Sequence, residues 1–301
     1  MTFLERTLTE RKIPFRKKCP LASFSTFRIG GSADLAIFPQ TAEQLTLTAR
    51  ICRAEGLPLF VVGNGSNLLF SDFGLPGAVI FTKGLNRIAD EPDGFSVDCG
   101  AMLPALSRCA AARGLSGLEF AAGIPGTIGG AICMNAGAHG GEIAQVVAET
   151  AYYDFQTDSC GQFSGFEHVF GYRTSVYSTD SWKIVLGARI RLQKGNCDEI
   201  KRTIAENLAL RRAKQPLGEP SAGSAFKRPA NGSAAELIDR FGLKGFSVGG
   251  AAVSEKHAGF IVNKGNATAK DVVSLIEQIQ KIILEKTGIL LEPEIRILGE
   301  I

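Results

Sequence analysis

Three stretches of this 301-residue chain carry residue types at spacings that could do chemistry. The first, Gly63-Asn64-Gly65-Ser66-Asn67, directly follows the apolar run Leu59-Phe60-Val61-Val62. Glycine lets a backbone reach positive φ and approach a ligand closely, so this loop could wrap phosphate with its N–H groups. It lacks the dinucleotide fingerprint G-x-G-x-x-G, because Leu68 stands at the third glycine, and no G-x-x-x-x-G-K occurs. A plain tight turn is the competing reading. The second stretch is Gly123-Ile124-Pro125-Gly126-Thr127-Ile128-Gly129-Gly130, followed by Asn135-Ala136-Gly137. Glycine at this density carries a large entropic cost, which suggests a backbone that must lie against something flat or anionic. Glycine-rich turns between strands are the alternative, but two such loops in one chain favour a cofactor clamp.

The third stretch runs from Ser221 to Pro229. Ser224 and Lys227 match S-x-x-K, and Lys286-Thr287-Gly288 supplies a K-T-G, the elements of a serine acyl-enzyme. No S-D-N triplet completes the set, the interval is short for a helical subdomain, and Lys286-Thr287-Gly288 also reads as a helix stop. Ser224 lacks a G-x-S-x-G elbow, and His139, His168 and His257 are far apart in sequence, so neither a hydrolase triad nor a metal site is supported. What remains is a set of isolated groups: Tyr172-Arg173, Lys214, Ser224, and Glu294 with Arg296. Singly, each reads as a surface charge or a cap.

The elements that must hold these residues follow from hydrophobic patterning. Leu59–Val62 reads as a buried strand, Ala78–Thr82 and Phe95–Cys99 as two more, Ala105–Arg113 as a helix, and Val146–Phe155 and Lys183–Leu192 as further strands. Lys194-Gly195-Asn196 supplies a domain boundary. Beyond it, Thr268 and Asp271 form a capping box ahead of Val272, Ile276, Ile279 and Ile283 at helical spacing, with Gly288 as the stop. Ile289–Leu298 reads as a strand interrupted by Pro293, with Glu294 and Arg296 on one face and Ile295 and Ile297 directed into the core.

Composition narrows the class. A hydrophobic content of 45% over this length suits about two globular domains. The formal charge of +3, from 33 basic and 30 acidic residues, does not indicate nucleic-acid binding. Phe120–Gly141 is free of formal charge and long enough to span a membrane, but its glycines and Pro125 argue for a close-fitting loop. Charges interrupt the N-terminal residues too often for the apolar run of a secretory signal, so export is not expected. Seven scattered cysteines without a Cys-x-x-Cys pair suggest reduced thiols serving as small buried hydrophobes in a cytoplasmic protein.

Assembled in order, these segments resemble the UDP-N-acetylenolpyruvoylglucosamine reductase family. The likeness runs through Thr26-Phe27-Arg28-Ile29-Gly30-Gly31, Gly63 to Leu69, Gly123 to Gly130 with Asn135-Ala136-Gly137, Gly171-Tyr172-Arg173, Ala222 to Pro229, and Leu291-Glu292-Pro293-Glu294. It implies an α+β fold: an FAD-binding region of the vanillyl-alcohol-oxidase type over 1–195, in two subdomains with a break near 85, and a substrate-binding domain over 196–301. It further implies noncovalent FAD held by the two glycine loops and Asn135-Ala136-Gly137, NADPH as hydride donor, a UDP-sugar enolpyruvyl ether as substrate, and a monomer with no nucleic-acid or membrane partner. Arg173 and Glu294 match the residues that stabilise charge at the substrate carboxylate, Ser224 the proton donor to C2, and Tyr172, Lys214, Lys227 and Arg296 substrate contacts. The chain is similar to the shorter class of the family, without the extra tyrosine-bearing loop. Arg228 departs from the asparagine common after Gly-Ser-x-Phe-Lys. The other readings are an FAD-dependent oxidase on the same scaffold, acting on another alcohol or sugar, and a nucleotide-binding module without catalysis.

Overall fold

The computed structural model describes residues 2–180, 182–230 and 232–301. The chain divides into two compact units, one of Met1–Arg16, Leu35–Asn64 and Gly77–Leu210, the other of Lys17–Asp34, Gly65–Pro76 and Arg211–Ile301. Each has its own apolar core.

The first unit is built on an antiparallel sheet in the order Ser159–Ser164, Val147–Asp154, Lys183–Arg191, Gly94–Asp98, Ile88–Glu91. Alternation along Gly94–Asp98 and Lys183–Arg191 sends Phe95, Val97, Ala188 and Ile190 into the core. The helix Leu103–Ala112 adds Leu103, Leu106 and Ala110, one stripe at helical spacing. Leu59–Val62 pairs in parallel with Leu75–Phe81, Leu59 opposite Ala78 and Val62 opposite Phe81. It is not the buried strand its composition suggests. Among the described residues it pairs on one side only, Val62 is buried, and Val61 stays 37% exposed. Four apolar residues in a row do not distinguish a central strand from a terminal one. Phe120–Gly141, expected as a loop, contains the short helix Ile128–Met134, whose Ile128, Ala131 and Ile132 are buried deeply enough to outweigh two glycines. No helix among the described residues is long and apolar enough to cross a membrane.

The second unit holds an antiparallel sheet in the order Ser221–Ser224, Phe260–Asn263, Ala251–Val253, Ser247–Val248, with the helix Ala269–Thr287 packed against it. Val272, Leu275, Ile276, Ile279 and Ile283 form the buried stripe of that helix, and Gly288 ends it with φ 72°. The capping box is present: Asp271 N donates to Thr268 Oγ1 at 3.0 Å and Thr268 N to Asp271 Oδ2 at 3.0 Å. Asp72 adds a second cap from far along the chain, its carboxylate accepting from Ala269 N at 2.8 Å and Lys270 N at 3.2 Å. Removing the Thr268 hydroxyl with Thr268→Ala is expected to cost ~1 kcal/mol in urea titrations.

The Thr268 N–H, and behind it the Gly250 N–H, hold the Asp271 carboxyl below its ordinary value. A depressed carboxylate stabilises fully above its unfolded value of about 3.9 and loses that contribution as pH falls through the lower folded value. The stability gap between wild type and Asp271→Asn should therefore be flat above about pH 5 and close below about pH 4. A gap that widens in acid would contradict this.

The end of the chain differs from expectation. Only Arg296–Leu298 is a strand, pairing in parallel with Leu68–Phe70, while Pro293 makes an isolated bridge to Phe226. Ile295 is buried as expected, but Ile297 is 41% exposed. Alternation fixes which residues share a face, not whether a short strand has anything packed on both of them.

Candidate functional site

The glycine-rich segments of the first unit approach one another closely. A Cβ at Gly63 would stand 2.2 Å from Thr127 Oγ1, and the Asn64 amide donates to Pro125 O at 2.7 Å. Two loops some sixty residues apart in sequence are thus adjacent. Gly129 is explained by the same close approach, since its Cβ would meet Cys99 at 3.1 Å. Gly126 and Gly130 are not. A Cβ at Gly126 would find nothing nearer than 3.8 Å, and at Gly130 only Thr127 Oγ1 at 3.5 Å. Packing within the chain does not require glycine at these two positions, so the open backbone face they leave fits a flat or phosphate-bearing group such as FAD. Thr127 was not among the expected site residues. Its position directly before Ile128, the first apolar residue of the helix, is an N-cap signature that could have flagged it.

Asn135 ends the helix Ile128–Met134 in the left-handed region, φ 42° and ψ 59°, and is 1% exposed. Its side chain donates to Gly171 O at 2.9 Å and accepts from Ala144 N at 3.1 Å. The Arg173 guanidinium in turn donates to Gly137 O at 3.2 Å and Asn135 O at 3.5 Å, and its carbon lies 5.1 Å from the Tyr172 ring centroid. The structure therefore joins two segments that sequence reading kept apart, Asn135-Ala136-Gly137 and Gly171-Tyr172-Arg173. Ser175 Oγ anchors the far side of the turn on Cys133 O at 2.9 Å. Tyr172 is exposed and Arg173 half-buried.

The second unit gathers Gly65-Ser66-Asn67, Lys214, Ser224, Lys227, Glu294 and Arg296. Gly65 takes φ 63° with its would-be Cβ 2.2 Å from Phe24 O. Asn67 is tied to the chain terminus twice: its amide donates to Glu294 O at 3.0 Å and its carbonyl accepts from Arg296 N at 3.0 Å. Ser224 ends its strand after a register shift from Ser221, with Gly223 at φ 79° and open space where its Cβ would be. A bulge of this kind re-aims the side chain that follows it. Ala225 N donates to Gly259 O and Glu294 N to Ala225 O, both at 2.8 Å, which brings the half-buried Ser224 and Glu294 onto neighbouring extended segments. The Lys227 ammonium pairs with Glu292, and Lys227 N donates to Glu292 O at 2.8 Å. Arg296 and Arg228 are exposed. Lys214 is exposed at the end of the helix Cys197–Lys214. Burial first, then the charges of Lys244 and Lys214, holds His257 below its ordinary value.

Burial pushes the Cys52 and Cys99 thiols up to about 12. Cys19, Cys52 and Cys99 are buried as expected, whereas Cys160 and Cys197 are exposed, contrary to the reading of all seven as buried filler. A thiol reagent should label Cys160 and Cys197 rapidly in the native protein and Cys19, Cys52 and Cys99 only in denaturant. Fast native labelling of Cys99 would contradict the burial described. No group of three or more potential metal ligands occurs among the described residues.

Residues 33–153 match an FAD binding domain, and residues 215–298 match the C-terminal domain of UDP-N-acetylenolpyruvoylglucosamine reductase. The reductase of that name from Caldanaerobacter subterraneus subsp. tengcongensis is 44% identical over 297 residues, 99% of this chain and 97% of that one. The one from Clostridioides difficile is 43% identical over 283 residues, covering 93% and 92%. The crystal structure of the reductase from Thermus caldophilus matches with a TM-score of 0.80 at 36% identity, over 95% of this chain and 99% of that one. The expected α+β fold, an FAD-binding region followed by a second domain, is borne out. The chain belongs to the UDP-N-acetylenolpyruvoylglucosamine reductase family.

Proposed function

We propose that this protein reduces the enolpyruvyl ether of UDP-N-acetylglucosamine to UDP-N-acetylmuramate, a peptidoglycan precursor, with NADPH as electron donor. The observation that carries this reading is identity of 44% to a reductase of that name across nearly the whole of both chains. Gly63, Asn64, Gly65, Ser66, Asn67, the run Gly123, Ile124, Pro125, Gly126, Gly129 and Gly130, and the backbone of Asn135, Ala136 and Gly137 would hold FAD noncovalently. The open faces of Gly126 and Gly130 support that assignment. When bound, FAD would supply two-electron hydride-transfer chemistry, with NADPH as the source of the electrons.

The chain itself must manage charge and a proton. As hydride reaches C3, negative charge builds on C2 and the adjoining carboxylate. Arg173 and Glu294 stabilise that charge, the first as a fixed cation and the second as a hydrogen-bonding acid. Ser224 delivers a proton from Oγ to C2. Tyr172, Lys214, Lys227 and Arg296 contact the substrate, whose diphosphate and carboxylate suit cationic partners. We further assign FAD binding to residues 1–195 and substrate binding to 196–301, and read the protein as a cytoplasmic monomer.

Mass spectrometry of the sugar nucleotide tests the reaction. A gain of two hydrogens with one NADPH oxidised per product supports it. Oxygen uptake, with the enolpyruvyl sugar unchanged, would favour an FAD-dependent oxidase on the same scaffold instead.

A further inference from the structure

We propose that Asn135 is a positioning residue for Arg173, its side chain committed to the protein and not to the cofactor. This rests on the reading of Arg173 as the cation that meets the substrate carboxylate. Thr174 N donates to Gly171 O at 3.2 Å and Gly171 N to Thr174 O at 3.1 Å, which makes Tyr172 and Arg173 the central pair of a tight turn. Arg173 has φ 56°. A positive φ at the third position is the mark of a type II turn, where glycine or asparagine is the residue the backbone prefers. An arginine there is strained, and it persists because its surroundings over-determine the conformation.

Asn135 supplies much of that constraint. Its Nδ2 donates to Gly171 O, the first residue of the turn, and its Oδ1 accepts from Ala144 N. The orientation of the amide is fixed by its partners, because a backbone N–H requires an acceptor and a carbonyl requires a donor. The backbone of the same segment receives the other end of the arginine, through Asn135 O and Gly137 O. One residue therefore fixes both the turn and the guanidinium. The left-handed backbone at Asn135 admits asparagine and glycine readily, and of these two only asparagine brings a donor and an acceptor. With one side-chain oxygen and one N–H already used and the residue 1% exposed, little of the amide is left for a ligand.

Asn135→Asp is the sharpest test, since it keeps size and the Ala144 bond but turns the group facing Gly171 O into an acceptor. Asn135→Gly keeps the left-handed backbone and deletes both bonds, and it carries the same test if the aspartate variant does not fold. Each variant is compared with Arg173→Ala and with the corresponding double variant, following flavin content and the rate at which the enolpyruvyl sugar restores flavin absorbance. The expected result is retained FAD, a step slowed ~10²-fold by lost alignment, and a double variant no slower than Arg173→Ala alone. Losses that multiply in the double variant, or flavin loss in proportion to activity, would overturn the proposal. Wild-type speed in Arg173→Ala itself would instead overturn the reading of Arg173 on which it rests.

Discussion

Replacing Arg173 by alanine is expected to slow reduction of the enolpyruvyl sugar by ~10²- to 10³-fold, the usual cost of deleting one preorganised donor at a developing oxyanion. The expectation has a structural basis beyond the charge. The guanidinium is held by two backbone carbonyls, and the residue occupies a left-handed conformation that a turn chosen for stability alone would give to glycine. That conformation separates activity from stability. Arg173→Gly should be as slow as Arg173→Ala yet more stable by ~1 kcal/mol, because a Cβ at positive φ is costly and glycine removes it. Single-turnover rates and chemical melts on the two variants check both statements. Wild-type turnover in either variant, or a glycine variant less stable than the alanine one, would contradict them.

Ser224→Ala should leave NADPH able to bleach the flavin while slowing the return of absorbance with substrate by ~10²- to 10⁴-fold, the range for loss of a general acid. A hydroxyl is a poor acid in water, so its value depends on being held where the proton is needed. The bulge at Gly223 and the pairing of Ala225 with Gly259 and Glu294 provide that placement. None of those bonds uses the Ser224 hydroxyl, so the alanine variant should fold normally. Rapid mixing separates the two half-reactions. Equal losses in both would show that the serine supports folding or flavin binding and not protonation.

Much of this was legible in the sequence, for identifiable reasons. The helix Ala269–Thr287 announces itself because Thr268, Asp271, the apolar stripe and Gly288 all specify the same element. The sheet strands at Val147–Asp154 and Lys183–Arg191 are long enough for β-branched and aromatic residues to mark them. The glycine loops are visible as composition, but composition does not say which glycines serve packing and which leave a surface open. Gly63 and Gly129 do the first, Gly126 and Gly130 the second. Nor could spacing reveal that Asn67 is bound to Glu294, Asp72 to the N-terminus of a helix almost two hundred residues on, or Asn135 to Gly171. These are long-range bonds to backbone groups, which every residue carries and no residue type advertises. Ile297 illustrates the converse: its face of the strand follows from alternation, but its exposure depends on neighbours from elsewhere in the chain.

The most direct test of the whole account is the visible spectrum of the purified protein under anaerobic conditions, recorded before and after NADPH and again after UDP-N-acetylglucosamine enolpyruvate. A flavin spectrum that bleaches with NADPH and returns with the enol ether is the predicted result. Bleaching without recovery would contradict the assigned substrate, and no flavin even after reconstitution with FAD would contradict the reading of the glycine loops.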